Sequence, residues 1–124
     1  MILVDTCIWV DHFKINPDPI LVALLNEGRV LGHSSVTGEM ALGNLQHRTT
    51  ILDLLRGLPQ AEQATDNEVF LFIEHETLFG MGIGFVDVHL LASARLSYGV
   101  TIWTRDKHLR GAATRLGLAA NMTH

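Results

Sequence analysis

Apolar and polar positions fall in short blocks along this chain, and the blocks alternate between two periods. Ile2-Leu3-Val4 is a run of branched apolar residues, the pattern of a short strand buried on both faces. Asp5 and Thr6 follow at once and open a helical pattern over 6–13. Asn16-Pro17-Asp18-Pro19 breaks that helix, and Asp18 or Pro19 starts a second one that runs through Asn26. Gly28 ends it, and Arg29-Val30-Leu31-Gly32 reads as a second strand. Ser34 and Ser35 can cap a helix that carries Glu39 and ends near Gly43 or Asn44. Thr49-Thr50 begins another helix, stopped by Gly57 and Pro59, and residues 60–64 read as a short third strand. Thr65-Asp66-Asn67-Glu68 has the spacing of a capping box, so a helix starts there and runs to about Leu78. Gly80, Gly82 and Gly84 make a turn before a helix over 85–98. A fourth strand over 100–103 and a last helix over 106–116, ended by Gly117, complete the pattern. Strands alternating with helices predict an α/β fold: a short, mostly parallel sheet flanked by helices.

Composition narrows the class. With 124 residues, 48% apolar and 18% charged, the chain reads as a single domain over 1–124 that buries a core without disulfides or structural metal. The lone Cys7 cannot form an internal disulfide and fits a reducing, cytoplasmic setting. No apolar run reaches the length of a membrane span, and Asp5 interrupts the N-terminal apolar run where a signal peptide would need continuity. The formal charge of −4 offers no overall attraction to nucleic acid. One local patch does: Arg105, Lys107, Arg110 and Arg115 place four of the nine Lys and Arg residues within eleven positions.

The acids then acquire meaning from where the strands put them. Ligand sites in open parallel sheets lie at the carboxyl ends of strands. Asp5 follows the first strand, Asp106 lies just past the fourth, and Thr104 offers a hydroxyl between strand and acid. If those two strands are parallel neighbours, both carboxylates arrive on one edge. Asp87 shares a narrow helical arc with Leu91, Ala94 and Tyr98, whereas His89, Ser93 and Ser97 mark a more polar side. Its place in a first helical turn also suits an ordinary helix cap, yet an ionised carboxylate on an apolar stripe is costly unless paired. Glu39 is the single acid of an apolar helix and, taken alone, reads equally as a surface glutamate. Asp11 reads as a solvated helix position and Cys7 as inert. No His-Glu-x-x-His spacing and no nucleophilic triad occurs, and the glycines at 80, 82 and 84 follow a helix rather than the strand that a nucleotide loop requires.

Three or four carboxylates in one place repel and stay partly protonated unless a cation joins them. Oxygen donors without a His or Cys zinc set select hard divalent ions, Mg²⁺ or Mn²⁺, which activate water and neutralise charge on a phosphate. The basic run over 105–115 lies beside Asp106, where a nucleic-acid backbone would be gripped; a solvated helix face is the competing reading.

Four motifs in order resemble the PIN-domain nucleases, and among them the VapC toxins of bacterial toxin–antitoxin pairs. They are Val4-Asp5-Thr6-x-x-Trp9, then Glu39, then Gly84-x-x-Asp87-x-x-Leu90-Leu91-Ala92-Ser93-Ala94, then Ile102-Trp103-Thr104-x-Asp106-x-x-Leu109. The resemblance implies a PIN-like three-layer fold and metal-dependent endonucleolytic cleavage of RNA. It also implies a VapB-like antitoxin as partner and a homodimer. Under it, Asp5, Asp87 and Asp106 hold the metal, and Glu39 orients or deprotonates the attacking water. Thr6 and Thr104 fix carboxylate orientation, while Arg105, Lys107 and Arg110 contact RNA. Three other readings share the acids. A phosphoryl-transfer receiver domain would need paired acids after its first strand and a lysine after its last, whereas Asp5 stands alone and Arg105 follows Thr104. A non-catalytic acidic-cleft module would receive an arginine of a partner peptide. A structure-specific DNA nuclease would need insertions that this chain lacks.

Overall fold

The computed structural model describes residues 1–122. Three strands form one parallel sheet: β1 (Ile2–Val4) in the centre, with β2 (Val30–Leu31) on one side and β3 (Thr101–Trp103) on the other. Leu3 pairs with Leu31 and with Ile102, and Val4 pairs with Trp103. The central strand is apolar throughout because helices cover both its faces. The crossover from β1 to β2 is made by α1 (Thr6–Lys14) and α2 (Pro19–Asn26). That from β2 to β3 takes α3 (Ser34–Leu42), α4 (Arg48–Gly57), α5 (Asp66–Glu76) and α6 (Phe85–Leu96), and α7 (Lys107–Arg115) follows β3. Among the described residues no helix is long and apolar enough to cross a membrane.

One core runs through the sheet and joins Leu3, Ile8, Trp9, Met40, Leu90, Leu91, Ile102 and Leu109. Fully burying aliphatic side chains of this kind stabilises by roughly 1.5–3 kcal/mol each. A smaller cluster of Ala64, Val69, Leu78, Val88 and Ala92 joins α5 to α6. The capping box forms as expected: Glu68 N donates to Thr65 Oγ1 and Thr65 N donates to Glu68 Oε1.

Four expectations change in three dimensions. Residues 60–64 are not a strand: Gln60 makes a single parallel bridge to Gly32, and its side-chain amide turns back to the carbonyls of Leu55 and Leu58 at the end of α4. The cap of α3 is His33 rather than Ser34 or Ser35. The fourth helix opens at Arg48, after His47 in the left-handed region (φ 54°), not at Thr49. Finally, α6 stops at Leu96, so Tyr98 leaves the apolar stripe and is fully exposed, while Ser93 on the supposed polar side is fully buried.

Candidate active site

The central strand β1 and its neighbour β3 are parallel, so they deliver their following residues to the same edge. Asp5 is the N-cap of α1, with Thr6 N donating to its Oδ1 at 2.8 Å. Only 6% of its surface is exposed, and the Thr104 hydroxyl donates to Oδ2 at 2.7 Å. Thr104 Oγ1 in turn accepts from Asp106 N at 3.0 Å, tying the acid after β1 to the acid after β3. Asp106 caps α7 by accepting from Leu109 N at 2.9 Å through Oδ1. Capping and site membership therefore coincide at both Asp5 and Asp106: a helix N-terminus holds each carboxylate where the strand end has put it.

Glu39 reaches the same place from a third direction. It stands exposed on α3, and the Thr6 hydroxyl donates to its Oε1 at 2.7 Å. The chain Glu39–Thr6–Asp5–Thr104–Asp106 thus spans α3, β1 and β3 by side-chain and backbone hydrogen bonds.

Asp87 completes the group from the first turn of α6. Its carboxyl is pushed up to about 6, first by burial and then by the negative charge of Asp5, with Asp106 and Glu39 adding to the repulsion. A hydrogen bond with the backbone of Gly84 pulls the other way without winning. The loop before α6 is set by Gly82, whose φ of +75° disfavours other residues and whose Cα faces the His108 ring of α7. All four predicted acids and both predicted threonines therefore meet at one end of the sheet. Among the described residues, no Lys or Arg side chain pairs with any of the four.

The proposed nucleic-acid contacts divide. Arg105 is occupied: its guanidinium pairs with Asp11 and, at 2.9 Å, with Asp18, and it lies over the Trp103 ring at 5.9 Å. Asp11 is thus an ion-pair partner, not a merely solvated residue. Lys107 and Arg110 are exposed on α7, with no carboxylate partner among the described residues. Arg115 is drawn to the carbonyls of Glu76 and Thr77 at the end of α5.

Three further residues lie beside the site: Cys7, read from the sequence as inert, and His33 and Ser93, which sequence reasoning did not place there. The Cys7 thiol donates to Asp5 Oδ2 at 3.5 Å and accepts from Arg105 N at 3.4 Å. Burial chiefly pushes its pKa up, which keeps it a thiol rather than a nucleophile. His33 and Ser93 form a buried pair, Nε2 to Oγ at 2.9 Å. The available signal for His33 was its place just past the second strand, on the same sheet edge as Asp5.

No protein-family model matches the chain. Ribonuclease VapC32 of Mycobacterium tuberculosis, in strains CDC 1551 and H37Rv alike, is 41% identical over 119 residues, covering 96% of this chain and 95% of that protein. FitAcB from Neisseria gonorrhoeae superposes with a TM-score of 0.62 at 21% identity, over 92% of this chain and 94% of that one. FitAB bound to an IR36 DNA fragment gives 0.63 at 22%, over 92% and 91%. At such identities these two structures speak to the fold alone, and they agree with a small parallel sheet between helices. Identity to VapC32 over nearly the full length of both proteins goes further: the chain belongs to the VapC family of PIN-domain ribonucleases.

Proposed function

We propose that this chain is the toxin of a VapBC-type toxin–antitoxin pair, a metal-dependent endoribonuclease that hydrolyses phosphodiester bonds in RNA at the Asp5–Glu39–Asp87–Asp106 site. The observation that carries the reading is Asp87, a carboxyl raised to about 6 first by burial and then by three neighbouring acids, with no protein cation paired to the group among the described residues. Such a group needs a cation from outside. The donors are carboxylate oxygens, which fit Mg²⁺ or Mn²⁺ rather than zinc. Among the described residues no three His, Cys, Asp or Glu side chains are gathered tightly enough to cage an ion. Mg²⁺ keeps several waters and takes only one or two carboxylates directly, so the remaining acids would reach it through water.

Asp5, Asp87 and Asp106 would hold the ion, directly or through water. When bound, it supplies a water of lowered pKa and neutralises charge on the phosphate under attack. Glu39 has one oxygen held by Thr6 and the other available to orient the water and take its proton. Thr104 and Thr6 keep the carboxylates aimed, since each donates a hydrogen bond to one of them. Lys107 and Arg110 are the candidate phosphate contacts, and Arg105 serves the loop that carries Asp106. A VapB-like antitoxin, a homodimer and a cytoplasmic location complete the proposal, supported by kinship with VapC32.

The test is cleavage of cellular RNA by the purified chain in Mg²⁺, in chelator, and after Asp5→Asn or Asp87→Asn. Cleavage should require the metal and disappear in both variants while the fold, read by circular dichroism, survives. Full activity in chelator or in Asp87→Asn would overturn the assignment.

A further inference from the structure

The acids Glu39 and Asp87 sit on helices that rest on different supports. The first, α3, packs on α1 and α4; the second, α6, packs on α5 and β3. Something must set their separation, because an active-site group displaced by about 1 Å can cost orders of magnitude in rate. One side-chain hydrogen bond connects the two helices among the described residues, and it is buried. His33, 2% exposed, caps α3: its Nδ1 accepts from Ser35 N at 3.0 Å. Because Nδ1 accepts, the ring proton of the neutral imidazole lies on Nε2, which donates to Ser93 Oγ at 2.9 Å. Ser93 is fully buried on α6, six residues after Asp87.

We propose that His33 and Ser93 are positioning residues for the nuclease reaction: their buried hydrogen bond fixes the helix that presents Glu39 against the helix that presents Asp87. Neither residue hydrogen-bonds to any of the four acids. A buried histidine satisfied on both nitrogens by two separate helices is a costly way to fill space. It is an economical way to lock one arrangement of two elements. The inference rests on the proposed roles of Glu39 and Asp87.

His33→Asn separates the two bonds. Asparagine is a good N-cap, so α3 keeps its start, but its amide is too short to reach Ser93. Ser93→Ala removes the link from the other side. The comparison comprises wild type, both single variants, the double variant and Asp87→Asn, all well below their unfolding temperatures. For each, kcat and KM for RNA cleavage are measured in Mg²⁺, and Mn²⁺ affinity is read without turnover from the free-ion electron paramagnetic resonance signal. Expected are a kcat lowered on the order of tenfold, weaker Mn²⁺ binding and a nearly unchanged KM in each single variant. The double variant should be no worse than the worse single one, since both remove the same bond. Single variants with wild-type kcat and Mn²⁺ affinity overturn the inference, as do losses that simply add in the double variant. Retained activity in Asp87→Asn would instead overturn the reading of the site itself, so the two failures are distinguishable.

Discussion

Replacing Asp87 by asparagine should stabilise the metal-free protein while destroying its activity. Folded Asp87 has its carboxyl raised from 3.8 to about 6, so the native state binds its proton more tightly than the unfolded chain does. Metal-free stability therefore falls as pH rises from about 3.8 through 6, and the whole penalty is present above that range. The rise from 3.8 to about 6 corresponds to a ceiling of ~3 kcal/mol, since a tenfold change in proton affinity is worth about 1.36 kcal/mol. Asp87 is only partly buried, and water screening reduces this to about 1–2 kcal/mol. The assay is urea unfolding in chelator at pH 7.5 and again near pH 4. Asp87→Asn should be the more stable protein at pH 7.5 by that amount, with equal m-values, and the gap should close toward pH 4. Added Mg²⁺ should then favour wild type, by about 2.7 kcal/mol at a hundred times the dissociation constant. The competing expectation has the opposite sign. An acid in a first helical turn ordinarily stabilises by roughly 0.3–1 kcal/mol, so an Asp87→Asn protein less stable than wild type in chelator at pH 7.5 would make Asp87 a plain helix-terminal acid and refute the account by burial and charge repulsion.

Four other outcomes are expected. Thr104→Val keeps the shape but loses the donor to Asp5 and the acceptor for Asp106 N, so Mn²⁺ affinity or kcat should drop roughly 10–100-fold, with Thr104→Ser restoring most of it. Arg105→Ala should lower stability by about 1 kcal/mol in chemical denaturation, because two partly exposed ion pairs are lost, with little effect on RNA affinity. Lys107→Ala or Arg110→Ala should do the reverse, each lowering the slope of log affinity against log salt by about 0.7 for single-stranded RNA. Burial, with nearby His89 second, holds the His33 pKa below its ordinary 6.5. Its native state then binds fewer protons than the unfolded chain, so this contribution to stability is present above pH 6.5 and declines as pH falls below it. The stability difference between wild type and His33→Asn should shrink over that range in parallel unfolding curves.

Much of this molecule is written locally. The run Ile2-Leu3-Val4 reads as a short strand buried on both faces, and Thr65 with Glu68 as a helix start, and both form as read. Asp5 and Asp106 were legible as site candidates because strand ends and helix caps fix where their backbones point before any tertiary contact forms. Residues 60–64 were misread because a single bridge and a side-chain cap on α4, both long-range facts, decided their conformation. Local patterning likewise put Ser93 on the more polar side of its helix; in the fold it is buried and bonded to His33, sixty positions earlier in the chain. Arg105 looked free to grip phosphate until Asp11 and Asp18 arrived from α1 and the start of α2. Which acids share a field, and whether a basic side chain is already neutralised, depend on through-space distances that a linear order of residues does not contain. Sequence determined the elements and the edge they serve; only the packing of α3 and α6 around the sheet decided that Asp87 would be half-buried within the field of Asp5, Asp106 and Glu39.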